Sequence, residues 1–269
     1  MKNYFQIFNN WDPDQIAALK SSGLSVSSGF QTIKVFDQEL FNKLEPLFRR
    51  WGAMVTMGSE FSGRDYSDAH HLMILPDWQT QYPQPEGDFG FLGETYDLEC
   101  FCSVCGVGAV QKGPFRLQKA IRWKRKNAFA LHWVFDAIFV STDAYERIFA
   151  PAGVGFFPVL LHKTGKAIED VRQLRLEVAA SALKLGDRRS VKCGSCGCEK
   201  YEPITGGYFP AFVDASYAPA LVMSREYCGS GRSASKWVVV SQSFRKALLA
   251  EKMNFTFYPS EPCGLMSEK

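Results

Sequence analysis

Two short stretches carry the residue types best suited to hold a metal ion: Cys102-Ser103-Val104-Cys105-Gly106 and Cys193-Gly194-Ser195-Cys196-Gly197. Each reads C-x-x-C-G, which presents two thiolates from one tight turn, and the trailing glycine lets backbone amides turn back toward the sulfurs. Four sulfurs complete a tetrahedral zinc shell and leave no position for water. One C-x-x-C is ambiguous, because thioredoxin-like redox motifs share it, whereas two copies with the same trailing glycine point to one shared structural site. The alternatives are two independent dithiols, or one redox pair beside an inert one. No histidine or carboxylate flanks either knuckle in a ligand pattern, which argues against a catalytic zinc.

The spacing between the knuckles is unusual, with 87 residues separating Cys105 from Cys193. A shared metal would therefore fasten two distant parts of the chain. Each knuckle also has one extra cysteine in near-mirror arrangement, Cys100 before the first and Cys198 after the second, and either could exchange with a ligand. The trailing glycines favour Cys102, Cys105, Cys193 and Cys196. Cys228 and Cys263 have no patterned partner and read as small buried or incidental thiols.

The elements that must position the knuckles show an internal repeat. Ile138-Phe139-Val140-Ser141 is followed by Tyr145, Ile148 and Phe149 at helical spacing and then by Phe156-Phe157-Pro158. Val238-Val239-Val240-Ser241 is followed by Phe244, Ala247 and Leu248 and then by Phe257-Tyr258-Pro259. Both copies read as a strand, a serine cap, a two-turn amphipathic helix and an aromatic strand ending at proline, each downstream of one knuckle. Residues 165–189 fit either helix or strand. Residues 199–235 read as a long connection, with Gly229-Ser230-Gly231 its most mobile point. Upstream, residues 1–36 mix strand-like runs with turns. Asp37 then caps a helix whose stripe of Leu40, Phe41, Leu44, Leu47, Phe48 and Trp51 stops at Gly52, with Pro46 expected to bend it.

Composition bounds the rest. The chain of 269 residues is 46% hydrophobic with a net charge of +3, an ordinary globular balance and too mild a charge to announce nucleic acid by itself. No apolar run approaches a membrane span and no leader is evident, so the expected address is the cytoplasm, where reduced cysteines persist. Lys119-Ala120-Ile121-Arg122-Trp123-Lys124-Arg125-Lys126 holds five cations in eight residues around a tryptophan. That could grip phosphates and stack a base, or form a solvated basic hairpin. His70 and His71 are adjacent and so point apart, which reads as surface or hydrogen-bonded histidines rather than a metal pair. Nucleophile elbows, zincin motifs, dinucleotide fingerprints and phosphate loops are missing.

The two knuckles, together with V-V-V-S-x-x-F and F-Y-P after the second, resemble the double-CXXCG motif immunity proteins of bacterial polymorphic and contact-dependent toxin systems. The resemblance covers about residues 98–262. It implies that Cys102, Cys105, Cys193 and Cys196 form the paired cysteine site with structural zinc, that a cognate toxin effector is the partner, neutralised by occlusion, and that no residue is catalytic. The expected fold class is α+β: a duplicated knuckle-strand-helix-strand module over residues 98–269, behind an N-terminal α/β extension over residues 1–97. The competing function is a zinc-stabilised nucleic-acid-binding protein that uses Lys119–Lys126.

Overall fold

A computed structural model describes residues 1–262. The chain is a mixed α+β protein that divides into two compact units. The first holds Met1–Tyr66 with Ile204–Tyr208, and the second holds Ser67–Pro203 with the chain from Phe209 onward. The boundary expected at 97/98 therefore lies inside the second unit, whose six-stranded sheet takes in the strand His71–Pro76.

In the first unit, β1 (Lys2–Trp11) is the central strand of three. It is followed by α1 (Pro13–Ser21), β2 (Gly29–Val35), α2 (Gln38–Arg50) and β3 (Met54–Glu60), with β2 and β3 antiparallel to β1 on either side. Period-2 alternation turns Ile7 and Trp11 of β1 and Ile33 and Val35 of β2 toward the helices. The 3.6-residue stripe of α2 turns Phe41, Leu44 and Phe48 to meet them. Phe5 stacks on Phe41 with ring centroids 3.6 Å apart. The Asp37 carboxylate accepts the Leu40 N–H at 2.9 Å, as the capping pattern required. Helix α1 departs from the strands and turns expected over 1–36. Its start was written in Asp12-Pro13-x-Gln15: Asp12 accepts the Gln15 N–H at 2.9 Å, the Gln15 side chain accepts the Asp12 N–H, and Pro13 occupies the first turn.

The short helix α3 (Gly63–Asp68) leads to β4 (His71–Pro76). Then come α4 (Phe91–Thr95) and the short strands β5 (Tyr96–Asp97), β6 (Val110–Gln111), β7 (Arg116–Leu117), β8 (Ala128–Phe129) and β9 (Phe139–Ser141). Next are α5 (Thr142–Ala144), continued by a π-turn at Tyr145–Phe149, then β10 (Gly155–Leu161) and β11 (Ala167–Arg175). The chain finishes its described course with β12 (Ser190–Lys192), β13 (Glu199–Tyr201), β14 (Leu221–Cys228), β15 (Ser235–Ser241), α6 (Gln242–Ala250) and β16 (Phe255–Pro259).

These strands form a five-stranded sheet, β7-β10-β11-β9-β8, a six-stranded sheet, β12-β13-β14-β15-β4-β16, and the β5/β6 pair. In the larger two, a strand-helix-strand segment straddles an antiparallel neighbour. Strand β11 lies between β9 and β10, and β4 lies between β15 and β16. Both helices are capped as expected: Ser141 Oγ accepts the Ala144 N–H and Ser241 Oγ accepts the Phe244 N–H, each at 3.2 Å. Tyr145, Ile148, Phe149, Phe244 and Leu248 are buried, while Ala247 is exposed. The two helices face each other through Phe149 and Phe244, 5.7 Å apart, and an Arg147–Glu251 ion pair.

Two expectations differ from the structure, and a third segment, open between helix and strand, takes one form. Pro158 does not end its strand, since β10 runs on to Leu161 with an irregular register after the proline, where the missing N–H breaks the ladder. Residues 167–175 resolve as strand β11, whose Ile168 and Val171 are both buried in the core although three residues apart, because the β10/β11 register shifts between them. The long connection at 199–235 contains β13 and β14, and Gly229-Ser230-Gly231 is tied down: the Gly229 N–H donates to Tyr201 O and the Ser233 N–H to Ser230 O.

Candidate metal centre

Each knuckle sits at the head of a two-stranded antiparallel ladder, β5/β6 for the first and β12/β13 for the second. Their backbones close in the same way. The Gly106 N–H donates to Cys102 O at 2.7 Å and the Cys102 N–H to Val107 O at 2.8 Å. In the second, the Gly197 N–H donates to Cys193 O at 2.9 Å and the Cys193 N–H to Cys198 O at 2.8 Å. Both trailing glycines have positive φ, +82° and +73°, which L side chains rarely adopt. The fold thus uses these glycines as the sequence suggested.

The two knuckles meet. The sulfurs of Cys102, Cys105, Cys193 and Cys196 all lie within 4.8 Å of one another. Cys102 Sγ is 3.9 Å from Cys193 Sγ, and Cys105 Sγ is 3.6 Å from Cys196 Sγ. A disulfide needs about 2.05 Å, so these pairs are far too long to be one. A tetrahedron with metal–sulfur bonds of about 2.3 Å has sulfurs about 3.8 Å apart, between the two observed values. The donor set and its spacing therefore fit a four-thiolate metal ion.

Backbone and crowding set opposite proton affinities within each knuckle. The N–H groups of Cys105 and Val104 point at Cys102 Sγ and lower its thiol to about 6. The N–H groups of Cys196 and Ser195 lower Cys193 in the same manner. Burial pushes Cys105 up. At Cys196 the Cys198 N–H pulls downward, but desolvation and the neighbouring thiols prevail and carry it to about 12. Four sulfurs this close cannot all ionise without a cation among them, and a divalent ion reverses that balance.

One residue of the site escaped the sequence reading. Lys200 on β13 is buried, and its ammonium donates to the carbonyls of Cys105, Gly231 and Ser233 at 2.8, 2.7 and 2.8 Å. It joins the hairpin of the second knuckle to the backbone of the first. A lone lysine in Cys198-Glu199-Lys200-Tyr201 carries no signal of this in sequence; only the parallel pairing of β13 with β14 brings the Gly231–Ser233 loop over it.

The other candidates fall outside the cluster. Cys100 and Cys198 are exposed and not among the four converging thiols. Cys228 is a buried thiol 3.5 Å from Ser235 Oγ, and Cys263 lies outside the described residues. His70 is exposed, whereas His71 is buried with its Nε2 3.3 Å from Pro210 O, and burial lowers it to about 4. No ring nitrogen joins a metal cluster among the described residues. In the basic segment, Trp123 is packed rather than presented: its Nε1 donates to Asp170 at 3.0 Å and its ring contacts Trp78 and Phe129. No helix among the described residues is long and apolar enough to cross a membrane. No protein-family model matches the chain, and no curated protein matches it.

Proposed function

We propose that this is a cytoplasmic immunity protein that binds a cognate bacterial toxin effector and neutralises it by occlusion, with structural zinc held by Cys102, Cys105, Cys193 and Cys196. The observation that carries the reading is the convergence of two C-x-x-C-G knuckles, 87 residues apart in the chain, into one closed four-thiolate set. Such a shell has no vacancy for water or substrate, so its contribution is mechanical. The zinc supplies a cross-link; the chain supplies the ligands, the amides that favour thiolate at Cys102 and Cys193, and the Lys200 ammonium. We further propose that the two strand-helix-strand segments descend from one duplicated module, a reading supported by their matching serine caps and matching third strands.

The nucleic-acid alternative loses ground because Trp123, the aromatic of the basic segment, is engaged in the core. The decisive experiment is co-expression with the adjacent effector gene. Survival that depends on this protein, with a stoichiometric complex on gel filtration, is the expected result; equal killing with and without it and no complex would overturn the proposal. Metal analysis should return one zinc per chain in a colourless protein, and visible absorbance from iron would correct the metal.

A further inference from the structure

Strained backbone is concentrated in loops of the second unit. Seven non-glycine residues among those described have positive φ, and six of them, Gln81, Asp88, Phe89, Lys124, Arg125 and Trp133, occupy three loops. Holding a phenylalanine at +54° and a tryptophan at +68° costs on the order of 1–3 kcal/mol each, and such strain collects where a surface has a task.

Hydrogen bonds and ring contacts join the three loops. The Gln81 amide bonds both ways with the Lys119 backbone at 3.0 and 3.1 Å, and Gln81 O accepts the His132 N–H at 3.0 Å. The Trp133 ring lies 4.5 Å from Tyr82 and 4.8 Å from Phe89, above the buried Phe91. Yet Trp133 stays 41% exposed and Phe89 53%. Beside them, Lys119, Arg122, Lys124, Arg125 and Lys126 are exposed and enter no ion pair among the described residues.

We infer that this face, an aromatic anchor of Tyr82, Phe89 and Trp133 bordered by the unpaired cations of 119–126, docks an acidic protein surface, and that this surface belongs to the neutralised effector. The inference rests on the immunity reading and adds to it the binding face and the partner's charge. Rigid aromatics that enter a pocket supply most of an interface's affinity, while uncompensated rim cations steer an acidic partner. A single-stranded nucleic acid suits the face less well, because the rings pack on one another rather than standing open to bases.

The test uses the whole protein and the purified product of the adjacent effector gene. Trp133→Gly removes the ring while glycine accepts the positive φ, so melting should not fall and affinity should drop at least about 30-fold, the scale of an aromatic hot spot. The pair Lys124→Glu and Arg125→Glu should slow association at least about tenfold and flatten its salt dependence. Val191→Ser, at an exposed position on β12, should change neither. If wild type binds and both face variants bind equally well, the face is wrong while the immunity reading stands. If wild type itself fails to bind, both fall. If an oligo-dT strand binds at physiological salt and the face variants lose it, the partner class is wrong.

Discussion

The two knuckles share a sequence motif and a hydrogen-bond pattern but not an environment. In the first, Cys102, Cys105 and Val107 are buried, and a Cβ on Gly106 would meet Arg232 O at 2.1 Å. In the second, Cys193 is buried in the same cluster, but Cys196 is exposed, exposed Cys198 stands where the first has Val107, and a Cβ on Gly197 meets nothing within 4 Å. The same five residues therefore fill two roles. The first knuckle is built into the core under the 229–234 loop. The second contributes one buried and one exposed thiol and is tied to the first through Lys200.

The sharpest way to break this comparison is to remove ligands. Closing a loop of about 90 residues removes on the order of 4–5 kcal/mol of unfolded-chain entropy in a cross-link model, so with the proposed zinc cross-link Cys105→Ser and Cys193→Ser should each lose the metal and a comparable stability. Cys105→Ser should cost more than Cys196→Ser, because it also disturbs a buried position. Metal content and denaturant melts read both, and equal losses at 105 and 196 would erase the distinction between knuckles.

The glycines give the next effect. Gly106→Ala combines positive φ with a clash against backbone and should cost about 3 kcal/mol, whereas Gly197→Ala faces positive φ alone and should cost about 1 kcal/mol. If the two variants melt together, the first knuckle is not locked beneath its loop. Lys200→Met follows at about 2 kcal/mol, since three carbonyls lose a charged donor. Chelation of this variant should release metal faster than from wild type. Smallest of all, Cys100→Ser and Cys198→Ser should leave zinc content unchanged and stability within about 0.5 kcal/mol, as exposed positions outside the shell do.

What was legible in the sequence was local. The knuckles, the serine and aspartate caps and the stripe of α2 each announce themselves within a few residues, because a turn, a cap or an amphipathic face is decided by near neighbours. What stayed hidden was decided across the chain. Strand β14, Leu221-Val222-Met223-Ser224-Arg225-Glu226-Tyr227-Cys228, carries charge in its middle and reads as connection until β13 and β15 flank it. Lys200 looks like any surface lysine until a distant loop supplies its carbonyls. Helix α1 is different, for its capping box is local, at Asp12 and Gln15, but stands among strand-like runs that mask it.

The place of β4 in the six-stranded sheet has a consequence for how the protein is made. Among the described residues, 71–76 pair only with β15 and β16, whose partners are 239–241 and 255–259. A ribosome adding about 5–20 residues per second takes about 10–30 s to travel from one to the other. Throughout that interval Leu72, Met73 and Ile74, all buried in the finished fold, have no strand to join. Vectorial synthesis thus delivers an apolar strand well before its neighbours exist, and nascent chains paused or truncated short of residue 239 should be clients of holding chaperones and prone to aggregate.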